Sequence, residues 1–358
     1  MNQDCLKLTT YFGERDRTPG GLLSDELMNI YGANRLRASV LLRGAEGFGS
    51  RQHARTDRLL SLSGDLPLVS IALDERHRIE SVLPLVLGVK RRGLITLERA
   101  RLLSGEIGAL QLPEQFGDAT LLTIFVGRQQ RIHNTPAFVA ICDLLYRHGV
   151  AGASVLLGVD GTRFGSRARA RFFGRNADVP TMIVAVGAGE TIAEVLPQLG
   201  GLLDEPLITL ERVRVCKRDG QLLATPHELP GTDEHGLRLW QKLMIYTSQS
   251  ASYDGQPIHL QLVRRLRHAH AAGVTCIRGI WGFHGAHPPH GDKIFQIRRH
   301  VPVCTIVIDT PGRIARSFAI IDELTAEHGL VTSEMVPALE AVGEGGPDGG
   351  LRLARHRF

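Results

Sequence analysis

Apolar and polar positions alternate through Leu6–Phe12, the period of a half-buried strand. The same pattern returns at Leu121–Val126 and Lys242–Tyr246. Each of these segments is followed by a helical stretch, about 21–35, 136–149 and 257–271, and then by a second strand, Ala38–Leu42, Ala153–Leu157 and Val274–Ile277. A long loop leads to a third strand at Leu68–Leu73, Met182–Val186 and Val303–Ile308. A second helix comes next, clearest where Ile314, Phe318, Ile321 and Leu324 recur at helical spacing. Pro84 and Pro197 are expected to kink or delimit this helix in the first two stretches.

The recurrence extends to identical residues. Leu94–Arg99 (LITLER) returns unchanged as Leu207–Arg212, and Ala38–Leu42 (ASVLL) as Ala153–Leu157. A third, more diverged copy places Lys242 on Lys7, Tyr246 on Tyr11, Arg278-Gly279 on Arg43-Gly44 and Gly282-Phe283 on Gly47-Phe48. Self-similarity in constant order marks tandem copies of one structural unit. The copies are expected over 5–104, 119–218 and 237–341, with a flexible glycine-rich tail over 342–358. The order strand, helix, strand, strand, helix, strand predicts an α+β fold of three tandem ferredoxin-like (βαββαβ) domains, with the helices on one face of each sheet. The other sheet faces are expected to bury against one another, with Trp240 among them.

Composition narrows the classes. Hydrophobic residues make up 43% and charged residues 22%, which excludes a largely disordered chain. The longest apolar runs, as around Val82–Val89, are far short of the about 20 residues of a membrane-spanning helix. The opening residues carry no secretory pattern, so a cytoplasmic location is expected. Cys5, Cys142, Cys216, Cys276 and Cys304 form no CxxC pair and read as free thiols. The net charge of +5 permits an anionic ligand without calling for nucleic acid.

Leu6–Arg17 (LKLTTYFGERDR), Leu41–Gly49 (LLRGAEGFG) and Asp65–Val69 (DLPLV) resemble the small bacterial PII-like proteins whose domain was long catalogued as of unknown function. The third copy keeps Arg278-Gly279 and Gly282-Phe283, and the second keeps Phe164-Gly165. The resemblance implies a PII-like pseudo-trimer fused into one chain, a monomer as a particle. It also implies a signalling role, with a small anionic metabolite or an adenine nucleotide in clefts between copies and a membrane transporter or an enzyme as partner. The glycine–lysine phosphate turn of PII proteins is missing, replaced by Lys90–Gly93, Leu203–Pro206 and Ala326–Gly329.

On this reading the expected ligand contacts are Arg43, Gly44, Gly47, Phe48, Gly49, Arg51, Lys90, Arg92, Arg278, Gly279, Gly282 and Phe283. Glycine-rich loops expose backbone N–H groups to anions, and the arginines add charge. Arg163, Arg167, Arg169 and Arg171 alternate with small or apolar residues, so an extended hairpin places Arg167, Arg169 and Arg171 on one side as a basic stripe for an acidic partner. His284, His287 and His290 form a candidate metal set, because imidazole is the commonest metal ligand. Gly187-Ala-Gly189 lacks the third glycine of a dinucleotide fingerprint and reads as a turn. No nucleophile–base signature is present, so no enzymatic activity is expected. Glu98, Glu211 and Glu334 recur on the fourth strand of each copy, a recurrence that duplication alone explains.

Overall fold

The structure, a computed structural model, describes residues 2–49, 52, 55–56, 65–90, 93–109, 119–170, 176–285, 287–291, 301–336 and 338–342. The first stretch contains β1 (Asn2–Gly13), α1 (Leu23–Ala33), β2 (Ala38–Arg43), β3 (Glu46–Phe48), β4 (Pro67–Glu75), α2 (Arg76–Val89) and β5 (Gly93–Ser104). The second contains β6 (Thr120–Gly127), α3 (Ala137–Arg147), β7 (Gly152–Arg163), β8 (Ser166–Arg169), β9 (Pro180–Gly187), α4 (Gly189–Leu202) and β10 (Leu207–Arg212), and β11 (Arg214–Arg218) and β12 (Gln221–Leu222) lead onward from it. The third contains β13 (Trp240–Ser248), α5 (Ile258–His268), β14 (Val274–Arg278), β15 (Trp281–His284), β16 (Pro302–Asp309), α6 (Pro311–Leu324), β17 (Leu330–Val336) and β18 (Ala338–Val342).

The expected architecture of three ferredoxin-like domains assembled as a PII-like pseudo-trimer is corrected by the strand pairing, because the sheets do not stop at the repeat boundaries. Strands of the first two repeats close an eight-stranded antiparallel barrel in the order β9, β6, β10, β5, β1, β4, β2, β7 and back to β9. Strands β13, β14, β16 and β17 of the third repeat lie in a separate eight-stranded sheet that recruits β3 from the first repeat, with β11 and β12, while β15 and β18 join the barrel sheet at β7 and β5. The physical cause is strand length. β5 and β7 run to 12 residues each. Their ends pair across the seams, Leu102 and Leu103 opposite Thr209 and Ile208, and Gly158–Arg163 opposite Leu42–Ala38.

Both sheet faces are covered, which is why β6, β9, β13 and β16 are buried at every residue rather than at alternate ones. The inner faces share one core drawn from all three repeats, including Val40, Leu121, Trp240 and Ile306. The outer faces carry the helices in three separate layers. In α6, Ile314, Phe318, Ile321 and Leu324 are all buried, and Pro311 opens the helix where its missing N–H costs nothing. Each such apolar side chain contributes about 1.5–3 kcal/mol by leaving water. Pro84 and Pro197 delimit neither helix; α2 continues to Val89 and α4 to Leu202. Among the described residues no helix is long and apolar enough to cross a membrane. The tail expected from 342 lies outside them, apart from Val342 at the end of β18.

Candidate functional site

The segment following each second strand leaves its own repeat. β3 of the first repeat pairs with β14 of the third, β15 of the third with β7 of the second, and the extended end of β7 with β2 of the first. The three exchanges form a cycle. Glycine makes the close approach possible. A Cβ on Gly47 would sit 2.4 Å from the Val274 carbonyl oxygen, and one on Gly282 2.2 Å from that of Ala153. Neighbouring amides are already committed. Gly44 donates to Pro67 and Ala45 to Cys276, while Gly279 donates to Pro302 and Ile280 to Val155.

Of the expected ligand contacts, Gly44, Gly47, Phe48, Gly279, Gly282 and Phe283 are therefore packed into seams between repeats, and Phe283 meets Tyr146 edge to face at 5.4 Å. Gly49 is exposed, with open space around it. Arg43 stands at the end of β2, half exposed and 2.9 Å from Glu14 Oε2. Arg278 is partly buried at the matching end of β14. Lys90 is turned fully inward, donating to the Tyr11 carbonyl at 2.9 Å and lying 5.3 Å from the centre of the Phe12 ring. Arg51 and Arg92 lie outside the described residues.

The arginine hairpin is anchored to its own molecule. Arg167 donates from Nε and Nη2 to the two oxygens of Asp160, and from Nη1 to Asn29 on α1. Arg169 lies 2.9 Å from Asp25, also on α1. Arg163 reaches Gln130 at 3.2 Å. Arg171 falls outside the described residues. In the histidine loop, His284 and His287 meet edge to face at 5.6 Å, and His290 bonds the Pro288 carbonyl. Burial, with His287 beside it, pushes the His284 imidazole below its ordinary value. Among the described residues, these three do not converge within ligating reach of a common point; the group that does is Glu98, Glu211 and Glu334.

That carboxylate group is a buried charge centre. Register pairs Lys7 with Glu98 and Lys242 with Glu334 across adjacent strands, while the corresponding position opposite Glu211 is Leu121. Each lysine also reaches a glutamate of another repeat. Lys7 contacts Glu98 at 2.7 Å and also Glu211; Lys242 contacts Glu334 at 2.6 Å and Glu98 at 2.7 Å. The result is an alternating chain, Glu211, Lys7, Glu98, Lys242, Glu334, drawn from all three repeats. Burial pushes the Glu98 carboxyl up, but Lys242 and Lys7 outweigh it and hold it well below the usual range. Burial opposes the Lys7 charge, and Glu211 and Glu98 more than restore it. Burial, helped by the Glu98 and Glu211 charges, outweighs Lys242 and the more distant Lys7 and raises the Glu334 carboxyl to about 7. The cations that bridge these carboxylates are the ammonium groups of Lys7 and Lys242.

The recurrence of the three glutamates was visible in the sequence, and so was the alignment of Lys7 with Lys242. A lysine recurring at one position of the first strand in two copies, beside a recurrent glutamate, was the signal for this centre; duplication explains the repetition but not the burial.

Comparison with known proteins places the chain. The UPF0166 protein of Aquifex aeolicus (strain VF5) is 32% identical over 98 residues, covering 27% of this chain and 90% of that protein, the length of one repeat. Among solved structures, the crystal structure of CrmK, a flavoenzyme involved in the shunt product recycling mechanism in caerulomycin biosynthesis, aligns with 10% identity and a TM-score of 0.19 over 82% of this chain and 56% of that one, too slight a likeness to carry an argument. The profile of DUF190, described as an uncharacterized ACR family, matches three times, over residues 5–102, 119–215 and 240–338. With most of its length accounted for by three such matches, the chain belongs to the DUF190 family and carries the family's unit three times in tandem.

Proposed function

We propose that this protein is a non-catalytic regulator of the PII-like kind, taking a small anionic metabolite at the seams between repeats and passing its presence to a transporter or enzyme through the long loops. The observation that carries this reading is the cyclic exchange of segments. In two seams the exchanged segment is met by a short returning strand, Arg55–Thr56 after Phe48 and His290–Gly291 after His284. A ligand wedged beside such a segment bears on two repeats and on the loop that follows, the differential contact a signalling state requires. Arg43 supports an anionic ligand. It is half exposed at a seam, and its partner Glu14 is one that an incoming phosphate or carboxylate displaces. An adenine nucleotide is the first ligand to test.

Calorimetry with ATP, ADP, AMP, a cyclic adenine nucleotide and inorganic phosphate tests the reading on the full chain. Binding of one of them, weakened about tenfold or more by Arg43→Ala at unchanged melting temperature, supports it. Absence of heat with every one at millimolar concentration removes the anion-sensing version.

A further inference from the structure

The alternating chain of the buried centre is open at one place. Lys7 bridges the glutamate of its own repeat and Glu211 of the second; Lys242 bridges the glutamate of its own repeat and Glu98 of the first. A lysine at position 121 would by the same rule bridge Glu211 and Glu334 and close the circle, but the residue there is leucine. Glu211 and Glu334 thus end the chain with no ammonium between them, while oxygens of all three carboxylates lie within 4.8 Å of one another. Three acids against two bases leave one uncompensated negative charge in a place where Glu98 and Glu211 are each 2% exposed.

We propose that this centre is a proton-binding site, in which one hydrogen ion held between Glu334 and Glu211 takes the place of the third lysine. Like charges sharing a buried site do not both ionise, and a proton is the smallest cation that separates them. Two further atoms point to the same gap. Oε1 of Glu211 is buried without a hydrogen-bond partner, an oxygen ready to accept from a protonated neighbour. Thr209, on the same strand face as Glu211, has a buried hydroxyl with no partner, although its counterpart Thr96 donates to Glu98 at 2.8 Å.

The other groups facing the centre are Tyr11, Tyr246, Cys5 and Cys304; burial raises all four, which keeps them neutral. Among the described residues, the cations in contact with the three carboxylates are Lys7 and Lys242. Glu334 therefore sets the sign of the effect. Its value rises from 4.5 to about 7 on folding, so the native state keeps a proton that the unfolded chain has lost. Stability from this group falls as pH rises from about 4.5 to about 7 and is level above that. Because the centre joins all three repeats, its protonation state bears on every seam at once.

The test compares urea unfolding of the full chain and of Glu334→Gln from about pH 4.5 to about pH 8. Glutamine keeps the shape and cannot titrate. The wild type is expected to lose stability relative to Glu334→Gln with a slope approaching one proton across the window. Leu121→Lys, which supplies the missing ammonium, is expected to abolish the slope. Carbon NMR of the glutamate carboxyls in the unmodified protein provides a readout independent of the variants, with one buried carboxyl protonated near pH 6. Equal pH dependence in wild type and Glu334→Gln, or all three carboxyls ionised near pH 6, would overturn the proposal. So would stability that follows sodium or potassium concentration at constant ionic strength, since that assigns the gap to a metal ion.

Discussion

Arg167 and Asp160 face each other across the hairpin of β7 and β8 in a two-pronged pair, Nε to Oδ1 at 3.0 Å and Nη2 to Oδ2 at 2.6 Å, with Asp160 almost wholly buried. Removing the guanidinium leaves a buried carboxylate with the Gly161 N–H and, at 3.8 Å, the half-exposed Arg169. Arg167→Ala is therefore expected to destabilise the protein by about 3 kcal/mol. Arg169, more than half exposed, is expected to cost less than about 1 kcal/mol on the same substitution. Urea midpoints for the two variants check the contrast. Equal small effects would return the hairpin to a freely solvated basic stripe.

The seam glycines separate packing from mere loop flexibility. Gly47→Ala places a methyl group against the Val274 carbonyl of another repeat, so a loss of about 1–3 kcal/mol is expected. Gly49→Ala, two residues on and in open space, is expected to be nearly neutral. Thermal melts of both variants decide the point, since a tethering role without packing predicts the two to behave alike.

Glu98 is the hub of the buried centre because both lysines reach it. Glu98→Gln leaves two buried ammonium groups short of charge, with an expected cost of about 3–5 kcal/mol. Its pH dependence opposes that of Glu334. The folded value lies below the ordinary 4.5, so the stabilisation is complete above about pH 4.5 and is lost as pH falls through the folded value. Acid denaturation of the variant should accordingly be shallower than that of the wild type, which circular dichroism measures directly.

All five cysteines are free and buried. Burial pushes the thiols of Cys5, Cys142 and Cys304 up, and that of Cys216 up to about 12. A thiol-reactive dye at neutral pH is expected to label none of the five in the native protein and all five in denaturant. Rapid labelling of the native chain would contradict this packing.

The triplication was legible because Leu94–Arg99 and Leu207–Arg212 are the same six residues, and the buried face of α6 because its period is local. The sheets were not legible in that way. Whether β5 ends at its own repeat or runs on to pair Leu103 with Ile208 depends on a partner strand distant in sequence, and alternation alone is satisfied by either outcome. The glycines of Leu41–Gly49 were visible as a motif, but the carbonyl that requires Gly47 belongs to Val274. Lys90 was expected to contact an anionic ligand beside two arginines; its burial follows from the Tyr11 carbonyl and the Phe12 ring, which no local pattern connects to it. For the charge centre, strand alternation places each glutamate on a face but cannot say that three such faces meet.

The leucine at position 121 has a bearing on symmetry. An assembly of identical subunits around a threefold axis repeats every residue at every equivalent position, so its axial charges come in multiples of three. Two lysines against three glutamates is a count that such an assembly cannot hold. A chain whose repeats are covalently joined and free to diverge can reach it, and its buried centre can change one charge at a time.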